Sequence, residues 1–117
     1  VGLRDWERDE IKVRQNEYGI KHLTPEETAS GSEKVIEWLH DTGASNVAIH
    51  FDMDVLDPNE IIAAVGVVPG GMKIAEVVRV INDVAKEKNL VGLTVAEPMP
   101  RTAIILKEML NQLPLLK

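Results

Sequence analysis

Apolar and polar positions along this 117-residue chain fall into blocks that switch between a strand-like and a helix-like period. The apolar run from Val47 ends in two carboxylates, Asp52 and Asp54, and predicts a strand over 47–54. Ile74, Val77, Val78, Ile81, Val84 and Ala85 then recur at helical spacing, and Lys86 and Lys88 suit the negative end of that helix. A second apolar strand is predicted over 90–97, closed by Pro98 and Pro100. Residues 101–113 follow as a last helix with Ile105, Met109 and Leu113 on one side. Between the first strand and the long helix, 66–71 reads as a loop around Pro69-Gly70-Gly71.

The first third is less regular. Residues 1–5 look like a buried strand ending in polar residues, 6–18 like a loop or short helix, and 18–23 like a second short strand. Thr24-Pro25-Glu26-Glu27 has the residues of a capping box, with proline in the first turn. Ser30-Gly31-Ser32-Glu33 repeats the box before a helix whose apolar face is Val35, Ile36 and Leu39, stopped by Gly43. Alternating strands and helices predict right-handed βαβ units, with helices on both faces of a mainly parallel sheet: a three-layer α/β/α fold. No internal repeat is visible. A domain seldom begins inside a strand, so residues 1–117 are expected to be a fragment.

Composition narrows the chemistry. A net charge of −6 argues against nucleic-acid and anionic-membrane partners. No apolar run approaches the ~20 residues of a membrane span. Without cysteine there are no disulfides or thiolate metal sites, which fits a reducing, cytoplasmic setting.

On a strand, Asp52 and Asp54 would leave the same face and converge at its end. Two carboxylates so placed repel unless a cation lies between them, and oxygen donors favour hard divalent ions. In parallel α/β sheets ligands bind beyond the carboxyl ends of the strands. Asp5, Asp52, Asp54 and Glu97 all fall at or just past such ends. His50 shares the expected face and is a candidate supporting group or ligand, although a packed histidine is the commoner outcome. Asp57 before Pro58 is expected to shape a turn, with a supporting role beside the metal as the second possibility. Asp5 is expected to anchor a loop.

Phe51-Asp52-Met53-Asp54-Val55-Leu56-Asp57-Pro58, followed by Pro69-Gly70-Gly71, resembles the third signature of the arginase–agmatinase–formiminoglutamase (ureohydrolase) family. Val1-Gly2-Leu3-Arg4-Asp5, Tyr18-Gly19-Ile20-Lys21 and Val95-Ala96-Glu97-Pro98-Met99-Pro100 resemble further strands of that family, in its order. The resemblance implies an arginase-like fold and a binuclear Mn²⁺ hydrolase of guanidino or amidino substrates. Asp52 would bridge both ions, Asp54 would hold the second, and Glu97 would contact the substrate guanidinium. A hydroxide between the ions would attack the guanidinium carbon. It further implies a homo-oligomeric parent acting on a small molecule. Three positions depart from the pattern: His50 stands where serine is usual, the 59–69 loop lacks the usual threonine–glycine run, and Met99 replaces asparagine. The family's Asp-His motifs are absent, and His22, His40 and His50 lack their spacing. By the same resemblance residues 1–117 are the C-terminal part of a single ureohydrolase domain, a strand is missing between the 1–5 and 47–54 segments, and the chain alone should be incompetent. Two alternatives stand beside this: a non-catalytic assembly module or decayed paralogue, and a Mg-dependent Asp-x-Asp phosphotransferase with Asp52 as nucleophile.

Overall fold

The computed structural model describes residues 1–62, 64, 67–99 and 102–116. Its elements run α1 (Asp9–Glu17), α2 (Pro25–Thr28), α3 (Glu33–Asp41), β1 (Asn46–Asp52), a 3-10 turn (Met53–Val55), α4 (Ile74–Glu87), β2 (Asn89–Ala96) and α5 (Ala103–Leu110). The centre is the predicted βαβ unit. β1 and β2 pair in parallel from Asn46 opposite Asn89 to Asp52 opposite Ala96, and α4 is the crossover.

Packing follows the apolar pattern. Val77, Val80, Ile81 and Val84 bury one face of α4 against Phe51 of β1 and against Val35 and Leu39 of α3. Met109 of α5 and Leu113, three residues past its end, close the same core, Leu113 with no exposed surface. Ile105, expected beside them, is 46% exposed, one turn short of the core that Met109 enters. α3, α4 and α5 contribute to the core that includes Ile49 and Phe51, whereas α1 buries no residue. On the sheet face opposite Ile49 and Phe51, Asn46, Ala48, His50 and Thr94 are exposed. Among the described residues no helix is long and apolar enough to cross a membrane.

Three expectations change. Residues 1–5 and 18–23 form no strand: Gly2 and Leu3 donate their amides to the Leu23 carbonyl (2.8 and 3.3 Å), and no ladder extends from them. A strand needs a neighbour along its edge, and neither segment has one among the described residues. β1 ends at Asp52 rather than at 54. The second capping box does not form either. The box at Thr24 is present in both directions, but Ser32 leaves α3 uncapped and gives its hydroxyl to Asp83 (2.8 Å). Gly66, Pro100 and Arg101, assigned above to a loop, a strand end and a helix start, lie outside the described residues.

Asp83 carries a stability prediction. Its carboxyl accepts from Lys86 Nζ (2.8 Å) and from Ser32 Oγ, which hold it below the usual aspartate range, Lys86 contributing most. A lowered folded-state value adds stability above the ordinary pKa, lost as pH falls through the depressed one. Asp83→Asn is expected to cost about 1 kcal/mol near neutrality and nothing once the wild-type carboxyl is protonated. Thermal melts across the acid range check this; a penalty unchanged by acid would show that ionised Asp83 contributes nothing.

Candidate metal centre

The chain leaves β1 at Asp52 and turns at once. Asp52 is extended, and its Oδ1 accepts the Asp54 amide (3.1 Å), capping the 3-10 turn. Asp54 therefore reaches the strand end from the turn, not from alternation along the strand. Hydrophobic anchoring fixes that turn, since Met53 and Leu56 on either side are buried. Because Asp52 pairs with Ala96, Glu97 emerges beside it at the same end of the sheet. Glu97 sits at φ 59°, a left-handed conformation that a side chain adopts at a cost and that gathers at functional sites.

Together Asp52, Asp54 and Glu97 place one carboxylate oxygen each within 4.8 Å of one another. Asp54 and Asp52 are half-buried and Glu97 is exposed. The Asp54 Oδ1 is covered and has no hydrogen-bond partner. Burial first, and the neighbouring Asp52 charge second, push the Asp54 carboxyl above its ordinary range, while Arg4 opposes the shift. An orphaned buried acceptor beside like charge is unfavourable for a protein alone, and a divalent cation resolves both terms. Oxygen ligands on opposite sides of such an ion lie about 4–5 Å apart, so the donor set fits a hard metal.

The other sequence candidates separate from this group. His50 Nδ1 lies 2.8 Å from Thr94 Oγ1, across the strand pair on the exposed face. Asp57 turns away: Oδ1 accepts from Asn59 N (2.7 Å), and Oδ2 from Gly70 N (2.8 Å) and Gly71 N (3.0 Å). These amides, Asn59 foremost, hold its carboxyl below the usual range. Gly71 is required there, since a Cβ would meet the Asp57 amide nitrogen at 2.6 Å. Asp5 accepts the Glu7 amide (2.8 Å), as a loop anchor does. Arg4 is the residue that pattern reading passed over. Its guanidinium reaches three backbone carbonyls, including that of Asp54. Its only mark in the sequence is an arginine at the polar end of the 1–5 segment.

The arginase-family sequence profile matches residues 1–105. The chain belongs to the arginase family. A comparison with curated proteins gives no match. Among solved structures, Entamoeba histolytica arginase in complex with L-ornithine is 23% identical at a TM-score of 0.78, over 95% of this chain and 39% of that one. An arginase from Bacillus subtilis is 27% identical at TM-score 0.68, over 92% of this chain and 42% of that one. Formimidoylglutamase from the same organism is 19% identical at TM-score 0.68, over 80% and 30%. The chain thus spans well under half of each matched structure. Its α/β architecture with a parallel sheet is that of the arginase fold, and as a family member it has hydrolases of guanidino and amidino groups as relatives. The family match leaves the phosphotransferase alternative without support.

Proposed function

We propose that this chain is the C-terminal portion of a binuclear manganese hydrolase that cleaves a C–N bond of a guanidino or amidino substrate. The observation that carries the reading is the meeting of Asp52, Asp54 and Glu97 at one end of the parallel strand pair. Asp52, at the strand terminus, would hold both ions, and Asp54, whose Oδ1 has no hydrogen-bond partner, would hold the second. When bound, the ions supply a Lewis acid and an acidified water.

The protein's own work is placement. The Asp54 backbone is pinned by the Asp52 carboxylate on its amide and Arg4 on its carbonyl. Glu97 is exposed beside the two aspartates, where a planar cation can donate two charge-assisted N–H hydrogen bonds to its carboxylate. Binding that cation at Glu97 would hold its central carbon beside the Asp52 and Asp54 carboxylates.

Glu97→Gln in the full-length enzyme is expected to lower kcat/KM at least about tenfold, each lost charge-assisted bond being worth about 1.5–3 kcal/mol, with manganese retained. Steady-state kinetics with metal analysis of the same preparation checks it. Unchanged kcat/KM would leave Glu97 a strand end, and loss of metal would make it a ligand.

A second reading, a non-catalytic assembly module, is favoured by one observation: among the described residues the acidic group contains no imidazole. Asp-His motifs in the sequence of the full-length protein favour the enzyme, and their loss favours the module.

A further inference from the structure

We infer that Arg4 is a positioning residue for Asp54, and that Arg4 and Asp57 together latch the 67–71 loop onto the turn that carries it. The inference rests on the metal-binding reading above.

Arg4 Nη2 donates to the Asp54 carbonyl (2.9 Å) and to the Val68 carbonyl (2.6 Å). Arg4 Nε donates to Val68 O (3.1 Å) and Pro69 O (3.3 Å). One guanidinium therefore joins the carbonyls of the turn to those of the loop. Asp57 holds the same loop by its opposite polarity, accepting the amides of Gly70 and Gly71. The two segments are closed further by Met72 N to Val55 O (2.8 Å) and Asp57 N to Met72 O (2.9 Å). Carbonyls at 68–69 and amides at 70–71 are thus gripped by two side chains of opposite charge.

The consequence falls on Asp54. Its amide is bound to the Asp52 carboxylate and its carbonyl to Arg4, so both peptide groups flanking its Cα are fixed. Side-chain rotation is the freedom that remains, while its covered oxygen has no protein donor. Left unrestrained, a turn bearing two repelling carboxylates would relax outward into water, and a metal would have to recover that cost on binding. Arginine suits the task because its planar fork serves several carbonyls at once; a lysine ammonium is a single point.

The test uses the full-length enzyme with three variants: Arg4→Met, Arg4→Lys and Arg79→Met. Arg79 is the matched control, since it also donates to backbone carbonyls, those of Thr28 and Ala29, away from the acidic cluster. Manganese affinity is read from the free-ion electron paramagnetic resonance signal, and stability from melting of the metal-free protein. Arg4→Met is expected to weaken the more loosely held ion about 10–100-fold, the range for residues that orient metal ligands. Arg4→Lys should fall between it and wild type, and Arg79→Met should lower the melting temperature with affinity within about twofold of wild type. Wild-type affinity in Arg4→Met with lowered melting would overturn the inference and leave Arg4 a structural clamp. If Arg4→Met does not fold, wild-type affinity in Arg4→Lys overturns it equally. A wild-type enzyme that binds no manganese overturns the metal reading, and this inference with it.

Discussion

Asp52→Asn in the full-length enzyme is expected to empty both metal positions and abolish turnover. A carboxylate that bridges two ions can offer each an oxygen only while both oxygens are anionic donors. The amide leaves one weak carbonyl acceptor and an N–H₂ group that repels the second ion. Metal catalysis is worth several kcal/mol, and about 4 kcal/mol is a thousandfold in rate, so activity should fall below about a thousandth of wild type. The fold should survive, because Asp52 gives the protein a single turn-capping bond to the Asp54 amide. Asp54→Asn should weaken one ion more than the other if, as proposed, Asp54 holds the second ion alone. Atomic-emission analysis of both purified variants decides: two ions per protomer in Asp52→Asn would sink the bridging assignment.

The 117-residue chain on its own is expected to bind at most one manganese weakly, to release no urea, and to self-associate. Asp52 and Asp54, even with Glu97 beside them, are too few donors for two ions that repel each other at about 3.5–4 Å. Association follows from the sheet. Among the described residues its only ladder is β1 with β2, so the outer edge of each strand is unpaired. A cavity of about 400 Å³ runs beside β1, lined by Val1, Trp38, Ala48, His50, Phe51 and Val80. Ile104 is 77% exposed and Val91 60%, which adds apolar surface to the open edges. Sedimentation velocity with a manganese titration tests this. A monomer holding two tightly bound ions and cleaving a guanidino substrate would overturn the portion reading.

What could be read from the residues is what local chemistry decides. The βαβ unit was legible because Val77, Ile81 and Val84 repeat at the helical period and the flanking runs are too short for helices. The Thr24 box was legible because both of its hydrogen bonds are made within four residues. The second box was not: the helix begins at Glu33 with Ser32 before it, so its third residue is Val35 and the Ser30–Glu33 pair cannot close. Strands over 1–5 and 18–23 failed because pairing is a property of two segments. At the strand end, the convergence of Asp52, Asp54 and Glu97 was legible and the route to it was not. Alternation along a strand was the wrong route for Asp54, which arrives through a 3-10 turn. Arg4 escaped notice because its partners are backbone carbonyls, which carry no mark in a sequence.

The pairing of β1 with β2 is unequal in length, seven residues against eight, and Val91 is the residue left over between the Val47–Leu90 and Ala48–Gly92 pairs. That surplus works as a phase adjuster. Past it, Leu93 and Val95 fall opposite Ile49 and Phe51 on the covered face. Paired flat, the strand would put Thr94 against Phe51 and carry Glu97 one step beyond its present place. The two halves of β2 therefore tolerate length change differently. Removing Val91 straightens the ladder and leaves the register of every later pair as it is. Removing any one residue between Gly92 and Ala96 breaks that register, turning apolar side chains out of the core or drawing Glu97 back from the two aspartates.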